Sequence, residues 1–182
     1  MNTTPEFTPW PKIARLNRIC TITEKLDGTN ASILITDTNE FYAGSRTRWI
    51  TPDNDNYGFA KWAYDHKDEL ITGLGPGHHF GEWWGTGIQR RYNIPDKRFS
   101  LFNTHKWNTQ TPPPACCSVV PVLFTGLFTT ALVTKAIEHL KLHGSMAAFG
   151  FMNPEGIVIY HHAAKTYYKV TLDKDNEPKS LT

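Results

Sequence analysis

The sequence predicts an α+β fold whose sheets are mainly antiparallel. Short runs of β-branched and aromatic residues, separated by glycine, proline and asparagine, recur along most of the 182 residues. Only two stretches carry apolar residues at the spacing of a helix. No break in composition divides the chain, so residues 1–182 are expected to form a single domain with two inserted helices.

The first strands are predicted near the amino terminus. Residues 19–24 alternate apolar and polar side chains, and Ala31, Ile33 and Ile35 occupy every second position after the turn-forming "DGT". Either the turn closes a hairpin with charged residues beside it, or it presents Lys25 for chemistry. The segment "FYAGSR" predicts a third strand.

The period then changes to that of a helix. Residues 53–56 supply capping side chains for its start. The positions at helical spacing are Phe59, Trp62, Ala63, His66 and Leu70. A second helix is predicted from Leu132 to Leu140, ending at Gly144.

The second half of the chain returns to strands. They are predicted in "HHFGEWWG", "RFSLFN" and "VVPVLF", and the prolines of "THKWNTQTPPPACCS" predict a loop before the last of these. "GIVIYHH" and "TYYKVTL" predict a closing antiparallel pair. The histidines at 78–79 and 161–162 are expected to be solvated, because no cysteine or acid completes a zinc site with them.

Composition narrows the function classes. A hydrophobic content of 40% is enough for a packed core, and the formal charge of +2 neither identifies nor excludes a nucleic-acid partner. The three cysteines lack metal-site spacing, so they predict reduced thiols in a cytoplasmic protein. Because no apolar run approaches about 20 residues, no membrane partner is expected.

Four short stretches combine charge with glycine beside predicted strands. They are "EKLDGTN" (24–30), "GSR" (44–46), "FGEWWG" (80–85) and "PEGIVIY" (154–160), and Lys169 follows in "YYKVT". Cations of this kind neutralise phosphates, carboxylates hold Mg²⁺ or a ribose hydroxyl, and aromatic rings stack on a base. The inventory therefore favours chemistry on a nucleotide.

The order of these stretches resembles the covalent nucleotidyltransferase superfamily of ATP-dependent polynucleotide ligases and mRNA capping enzymes. Its first motif, Lys-x-Asp-Gly, is matched by Lys25, Asp27 and Gly28. Asn30 stands where DNA ligases usually carry arginine, so within the superfamily the chain looks most like the RNA ligases. The resemblance covers nearly the whole chain and implies the nucleotidyltransferase (adenylation) fold, with two antiparallel sheets, flanking helices and an ATP cleft between them.

The resemblance also implies roles for the residues of the first and last motifs. Lys25 would attack the α-phosphate of ATP and form a lysyl-AMP, with Asp27 as a further catalytic residue. Glu24 would lie at the adenine edge, and Asn30 would belong to the ATP site. Lys169 would contact the α-phosphate.

The middle motifs would complete the ATP site. Arg46 would contact ribose and the substrate phosphate, and Glu82 would bind a ribose hydroxyl. Phe102 would stack on adenine, with Phe99 as the alternative ring. Glu155 would orient a Mg²⁺ or Mn²⁺ ion through water. The last motif departs from the family pattern at one position, since RNA ligases often carry Lys-x-Lys there.

That departure is Tyr167, which stands where the first lysine of the last motif is expected, and it leaves the role of Lys165 open.

A free lysine is protonated near neutral pH, so Lys25 must lose a proton before it attacks a phosphate. By resemblance, AMP would then pass to the 5′-phosphate of an RNA, and a 3′-hydroxyl would displace it. DNA nick sealing, capping-type transfer of GMP and a non-catalytic nucleotide- or RNA-binding module are the alternatives.

RNA contacts are predicted in the loop that follows the third motif. "IQRRYNIPDKR" holds Arg90, Arg91, Lys97 and Arg98, which would form a phosphate-binding surface, with an ordinary solvated loop as the alternative. After Lys169 the sequence leads us to expect no separate OB-fold or helical domain. Any accessory protein is left unspecified.

Overall fold

Two β-sheets and three helices make up residues 5–173, which are the residues that the computed structural model describes. The strands are β1 (Ile19–Lys25), β2 (Thr29–Ile35), β3 (Phe41–Gly44), β4 (Trp49–Ile50), β5 (Gly77–Gly85), β6 (Lys97–Leu101), β7 (Cys117–Val119), β8 (Val122–Leu127), β9 (Gly156–His161) and β10 (Thr166–Thr171). The helices are α1 (Phe59–Asp65), α2 (Lys67–Leu74) and α3 (Thr130–His143).

The larger sheet has six strands in the order β4-β3-β2-β5-β6-β7, and the smaller has four in the order β10-β9-β1-β8. Neighbouring strands are antiparallel except β6 and β7, which run parallel. The predicted α+β class and the closing pair of β9 and β10 are therefore confirmed. The parallel pair was not predicted, and a loop without regular structure returns the chain between its strands.

The strands β1 and β2 do not form a hairpin, because they belong to different sheets, so the hairpin alternative is wrong. The segment 26–28 instead carries the chain from the smaller sheet to the larger one. Its backbone amides bond to side chains rather than to a partner strand: Asp27 N–H donates to the Tyr92 hydroxyl and Gly28 N–H to Glu82. The turn residues thus mark a crossing between sheets.

The first predicted helix is also divided. His66 ends α1 and precedes α2, with φ of −107° and ψ of 15°, outside the helical region. Of the predicted capping side chains, the Asp55 carboxylate accepts the backbone N–H groups of Ala60 and Lys61. The second helix, α3, ends as predicted at Gly144, whose φ of 75° suits glycine.

The stretch "VVPVLF" forms two strands rather than one. Proline has no N–H to donate to a ladder, and Pro121 separates β7 in the larger sheet from β8 in the smaller. Its carbonyl accepts the Glu24 N–H at 2.9 Å, which ties this second crossing to β1.

Each of the two sheets packs against its own hydrophobic core. Phe59 of α1 packs on Trp83 and Phe99 of the larger sheet, whereas Leu140 of α3 packs on Ile22 of the smaller sheet. Burial of one such side chain contributes about 1.5–3 kcal/mol. A third cluster gathers residues at or beside the two crossings and the loop after α3: Leu26, Trp84, Tyr92, Val120, Ala148 and Phe151. It joins the two layers next to Lys25.

The expectation of solvated histidines is wrong for two of the four. His79 and His161 are buried, and their rings bond to the carbonyls of Gly75 and Leu16 respectively. Burial of these rings costs little because each has a backbone partner. Among residues 5–173, no helix is both long and apolar enough to span a bilayer.

Candidate active site

Lys25 and Glu155 form an ion pair at the junction of β1 and β9. Lys25 is the last residue of β1 and lies opposite Gly156, so Glu155 reaches it from the start of the adjacent strand. Lys25 Nζ donates to Glu155 Oε2 at 2.6 Å. Burial raises the pKa of Glu155, although the charge of Lys25 acts in the opposite direction. The amine therefore has a proton acceptor already in contact.

Glu82 and Asn30 form the facing wall in the larger sheet, where they lie opposite each other on β5 and β2. Glu82 Oε1 accepts the N–H of Gly28 at 3.1 Å, and Oε2 accepts Asn30 Nδ2 at 3.1 Å. Burial raises the pKa of Glu82 to about 7, a rise that the charge of Lys25 and these two hydrogen bonds limit. The predicted Lys25, Asn30, Glu82 and Glu155 are thus brought together.

Asp27 is held by two residues of the loop 88–94. Its backbone N–H donates to the buried Tyr92 hydroxyl at 2.7 Å, and its Oδ2 accepts Arg90 Nε at 2.9 Å. Arg90 also donates to the Asn153 carbonyl at 3.2 Å and pairs with Asp173. Sequence reasoning missed Tyr92 and Asp173, because nothing in their local sequence distinguishes them from loop residues.

This geometry corrects the RNA role predicted for Arg90, whose side chain is only 15% exposed and turned toward Asp27. Two of its three predicted companions also have protein partners: Lys97 Nζ donates to the Tyr57 carbonyl at 2.7 Å, and Arg98 pairs with Asp96 at 2.9 Å. Arg91 is exposed and has no side-chain partner among residues 5–173. Of the four cations, Arg91 is therefore the one whose side chain has no partner in the described part of the chain.

Phe102 and Phe99 lie in different surroundings. Phe102 follows β6, is half-buried, and packs beside Leu26 and Trp84 next to the crossing segment. Phe99 is fully buried in the core of the larger sheet, 5.0 Å from Phe59 between ring centroids. The alternative that Phe99 stacks on adenine is wrong, because no face of that ring is open to a ligand.

Glu24 points away from Lys25, as the alternation of a strand requires. Its Oε2 accepts the N–H groups of Met146 and Ala147 at 2.7 and 3.1 Å, and burial raises the pKa of the carboxyl. Oε1 is buried and has no partner among the described residues. Glu24 thus holds the loop after α3 against β1 and retains one free acceptor oxygen.

Arg46 and Lys169 are exposed, and within residues 5–173 neither side chain has a hydrogen-bond or ion-pair partner. Arg46 lies in the turn between β3 and β4, where Ser45 N–H donates to the Arg48 carbonyl at 2.8 Å. Lys169 lies opposite Val158, which lies opposite Thr23, so its side chain shares the face of the smaller sheet that carries Lys25. Both cations are available to a ligand.

The acidic side chains of the cleft can hold a hard cation such as Mg²⁺ only if substrate phosphates supply further ligands. Within residues 5–173 no group of three or more His, Cys, Asp or Glu side chains is arranged to hold a metal ion. Asp27 and Glu155 are close enough for their charges to interact. Mg²⁺ is usually bound by one or two carboxylates plus substrate phosphates and water, and this pair fits that arrangement.

Comparisons with solved structures agree with this architecture. An RNA ligase mutant from Naegleria gruberi, solved with ATP and Mn, superimposes with a TM-score of 0.62 and 17% identity over 85% of this chain and 49% of that one. The same organism's RNA ligase with PPi gives a TM-score of 0.59 and 16% identity over 92% and 57%. The present chain therefore spans about half the length of these structures.

Sequence comparisons agree with the structural ones at the level of the family. Comparison with curated proteins finds no significant match. A family model described as RNA ligase matches residues 18–171, which include β1, β10 and every residue assigned above to the cleft except Asp173. The chain therefore belongs to the RNA ligase family.

Proposed function

We propose that the protein is an ATP-dependent RNA ligase that works through a covalent AMP on Lys25. The observation that carries the proposal is the convergence of Lys25 at the end of β1, Glu155 just before β9 and Glu82 within β5 onto one cleft. Family membership supports the reaction class, and the ATP, AMP and Mn in the titles of related Naegleria structures support the nucleotide and the metal.

The first step follows from the contact between Lys25 and Glu155. An ammonium has no free electron pair, so the Nζ proton passes to Glu155 Oε2 at 2.6 Å as the α-phosphate of ATP approaches. A bond forms between Nζ and the α-phosphorus, the bond to the leaving pyrophosphate breaks, and the second proton lost by Nζ passes to pyrophosphate or solvent. Lys169 and Arg46, both free to contact a ligand, neutralise charge on the phosphates.

The nucleoside is oriented by groups on both sides of the crossing segment. Glu82 is in position to accept a ribose hydroxyl, and Phe102 offers a half-buried ring for adenine. The free Oε1 of Glu24 is an acceptor suited to the exocyclic amine of adenine. A Mg²⁺ or Mn²⁺ ion held by Asp27 and by water that Glu155 orients would neutralise the phosphates further.

The substrate is an RNA with a 5′-phosphate and a partner end with a 3′-hydroxyl. AMP passes from Lys25 to the 5′-phosphate, and the 3′-hydroxyl then displaces AMP to form the phosphodiester. Asn30 supports RNA over DNA through the family resemblance. The three free cysteines are in the form that a reducing compartment maintains, and we propose that the protein acts in the cytoplasm.

Intact-mass measurement tests the proposal. Incubation with ATP and Mg²⁺ is expected to add a single AMP, in a linkage that is labile to acid and stable to base. The Lys25→Ala variant is expected to remain folded and to gain no mass. A GMP adduct formed in preference to AMP would favour capping-type transfer. Absence of any adduct on the wild-type protein, or AMP retained by Lys25→Ala, would reject the proposal.

A further inference from the structure

Three aromatic rings form a cluster on the smaller sheet, which we call the tyrosine face and define as Tyr160, Tyr167 and His162; Tyr160 is half-buried, and the other two are exposed. The rings of Tyr160 and Tyr167 lie 4.7 Å apart between centroids, and those of Tyr160 and His162 lie 5.1 Å apart. A hydrogen bond of 2.9 Å between the His162 ring and Thr21 Oγ1 fixes the third ring. Tyr167 is 62% exposed, so its ring is open to a ligand.

The tyrosine face is continuous with Lys25. In β1 and β9 the cross-strand pairs are Lys25 with Gly156 and Thr21 with Tyr160, and Tyr160 lies opposite Tyr167 in β10. Directly paired residues project to the same side of a sheet. The tyrosine face therefore lies four residues along the strands from Lys25, roughly 13 Å away. The opposite side of this sheet is covered by α3.

Two lysines accompany these rings. Lys169 lies between the row of Lys25 and the row of Tyr167 on the same side of the sheet. Lys165 is exposed in the turn between β9 and β10, two residues before Tyr167. A single-stranded nucleic acid can use both kinds of side chain, because its bases stack on aromatic rings and its phosphates attract cations.

We propose that the tyrosine face binds the bases next to the 5′-phosphate of a single-stranded RNA. The phosphate reaches Lys25, the backbone passes Lys169, and a following base stacks on Tyr167. Tyr167 stands where the resemblance leads one to expect a lysine, so this chain exchanges a phosphate contact for a stacking contact. The identification of the ligand as RNA rests on the proposed function.

The test measures RNA binding without ATP, so that no ligation chemistry is involved. The probe is a 5′-phosphorylated single-stranded RNA with 2-aminopurine at its second or third nucleotide. Tyr167→Leu is expected to weaken binding by about 5-fold to about 150-fold and to abolish the fluorescence quenching that stacking causes. Tyr167→Phe keeps the ring and is expected to restore both. Lys165→Ala should lower the slope of log affinity against log salt by about one.

Tyr168→Leu is the matched control, because Tyr168 is 50% exposed but faces the other side of β10, opposite Ile159. It should bind the RNA like the wild-type protein. Equal losses in Tyr167→Leu and Tyr168→Leu, or unchanged binding by Tyr167→Leu, would overturn the proposal. Self-adenylation of the wild-type protein is measured separately. RNA binding that depends on Tyr167 without self-adenylation would reject the ligase function and support the tyrosine face.

Discussion

Lys25 Nζ and Glu155 Oε2 lie 2.6 Å apart although 130 residues separate them in the chain. The register of β1 and β9 produces this contact, because Lys25 lies opposite Gly156 and Glu155 directly precedes that glycine. Each charge satisfies the other while no nucleotide is bound. In the mechanism proposed above, the pair separates with the proton on Glu155, so we propose that the carboxylate acts before Lys25 attacks a phosphate.

Replacing that carboxylate by an amide should expose this role. Glu155→Gln keeps the shape and a hydrogen-bond acceptor but cannot take a proton, so single-turnover AMP attachment is expected to slow by about 10²- to 10⁴-fold. Glu138→Gln, an exposed change on α3, is the control and should react normally. A normal rate for Glu155→Gln across Mg²⁺ concentrations would contradict both the proton transfer and the metal role.

The buried Glu82 carboxyl should make the free energy of unfolding depend on pH. Its pKa is raised from 4.5 to about 7 by burial, which corresponds to about 3 kcal/mol. Between these values the folded state binds more protons than the unfolded state, so the free energy of unfolding falls as pH rises from about 4.5 to about 7. Urea unfolding across this range should show the fall, and Glu82→Gln should reduce it.

Some of that fall should persist in Glu82→Gln. The pKa values of Glu24 and Glu155 are raised in the same direction by burial. The comparison is therefore between the two slopes rather than between a slope and none. Identical pH dependence in the wild-type protein and Glu82→Gln would show that the buried carboxyl is not a source of it.

The sequence predicted the individual strands and the site better than their partners. Local alternation reports which face of a strand is buried, and the ordered motifs selected Lys25, Glu82 and Glu155, which the fold brings close together. Whether β1 pairs with β2 or with β9 depends on contacts distant in the chain, which local pattern does not encode. The same limit explains why Arg90 was expected on the surface, since its partners Asp27 and Asp173 lie far from it in sequence.

Substitution of Phe102 should affect ATP binding, whereas substitution of Phe99 should affect stability. Phe102→Ala is expected to raise the ATP concentration needed for half-maximal adenylation, because a stacked base contributes about 1–3 kcal/mol. Phe99→Ala removes a fully buried ring and is expected to lower the free energy of unfolding by about 3–5 kcal/mol. ATP titration and urea unfolding of both variants separate these effects, and an unchanged ATP requirement for Phe102→Ala would remove the stacking role.

Arg90 should act through Asp27 rather than through RNA. Arg90→Ala removes a mostly buried partner of two carboxylates and is expected to destabilise the fold by about 1–3 kcal/mol, between the values for exposed and buried pairs. Arg91→Ala, at the adjacent exposed position, should change stability by less than about 0.5 kcal/mol. Thermal unfolding of the two variants measures the difference. Equal stability would mean that the Arg90 contacts contribute nothing.

Gly28 should be required by the approach of the crossing segment to β5. A Cβ atom at this position would lie 2.8 Å from Trp84 Cβ and closer still to the Trp83 carbonyl oxygen, and neither atom is at the flexible end of a side chain. Gly28→Ala must therefore push the crossing segment away from β5 and stretch the 3.1 Å hydrogen bond from Gly28 N–H to Glu82. We expect a loss of about 1–3 kcal/mol in unfolding free energy together with slower adenylation.

Gly126→Ala in β8 is the control, since the nearest neighbour of its added Cβ would be 3.6 Å away, an ordinary contact. Gly126→Ala should be as stable as the wild-type protein or more so, because alanine restricts the unfolded chain. If the two variants unfold at the same temperature and adenylate at the same rate, the close approach at Gly28 is not what the first motif requires of its glycine.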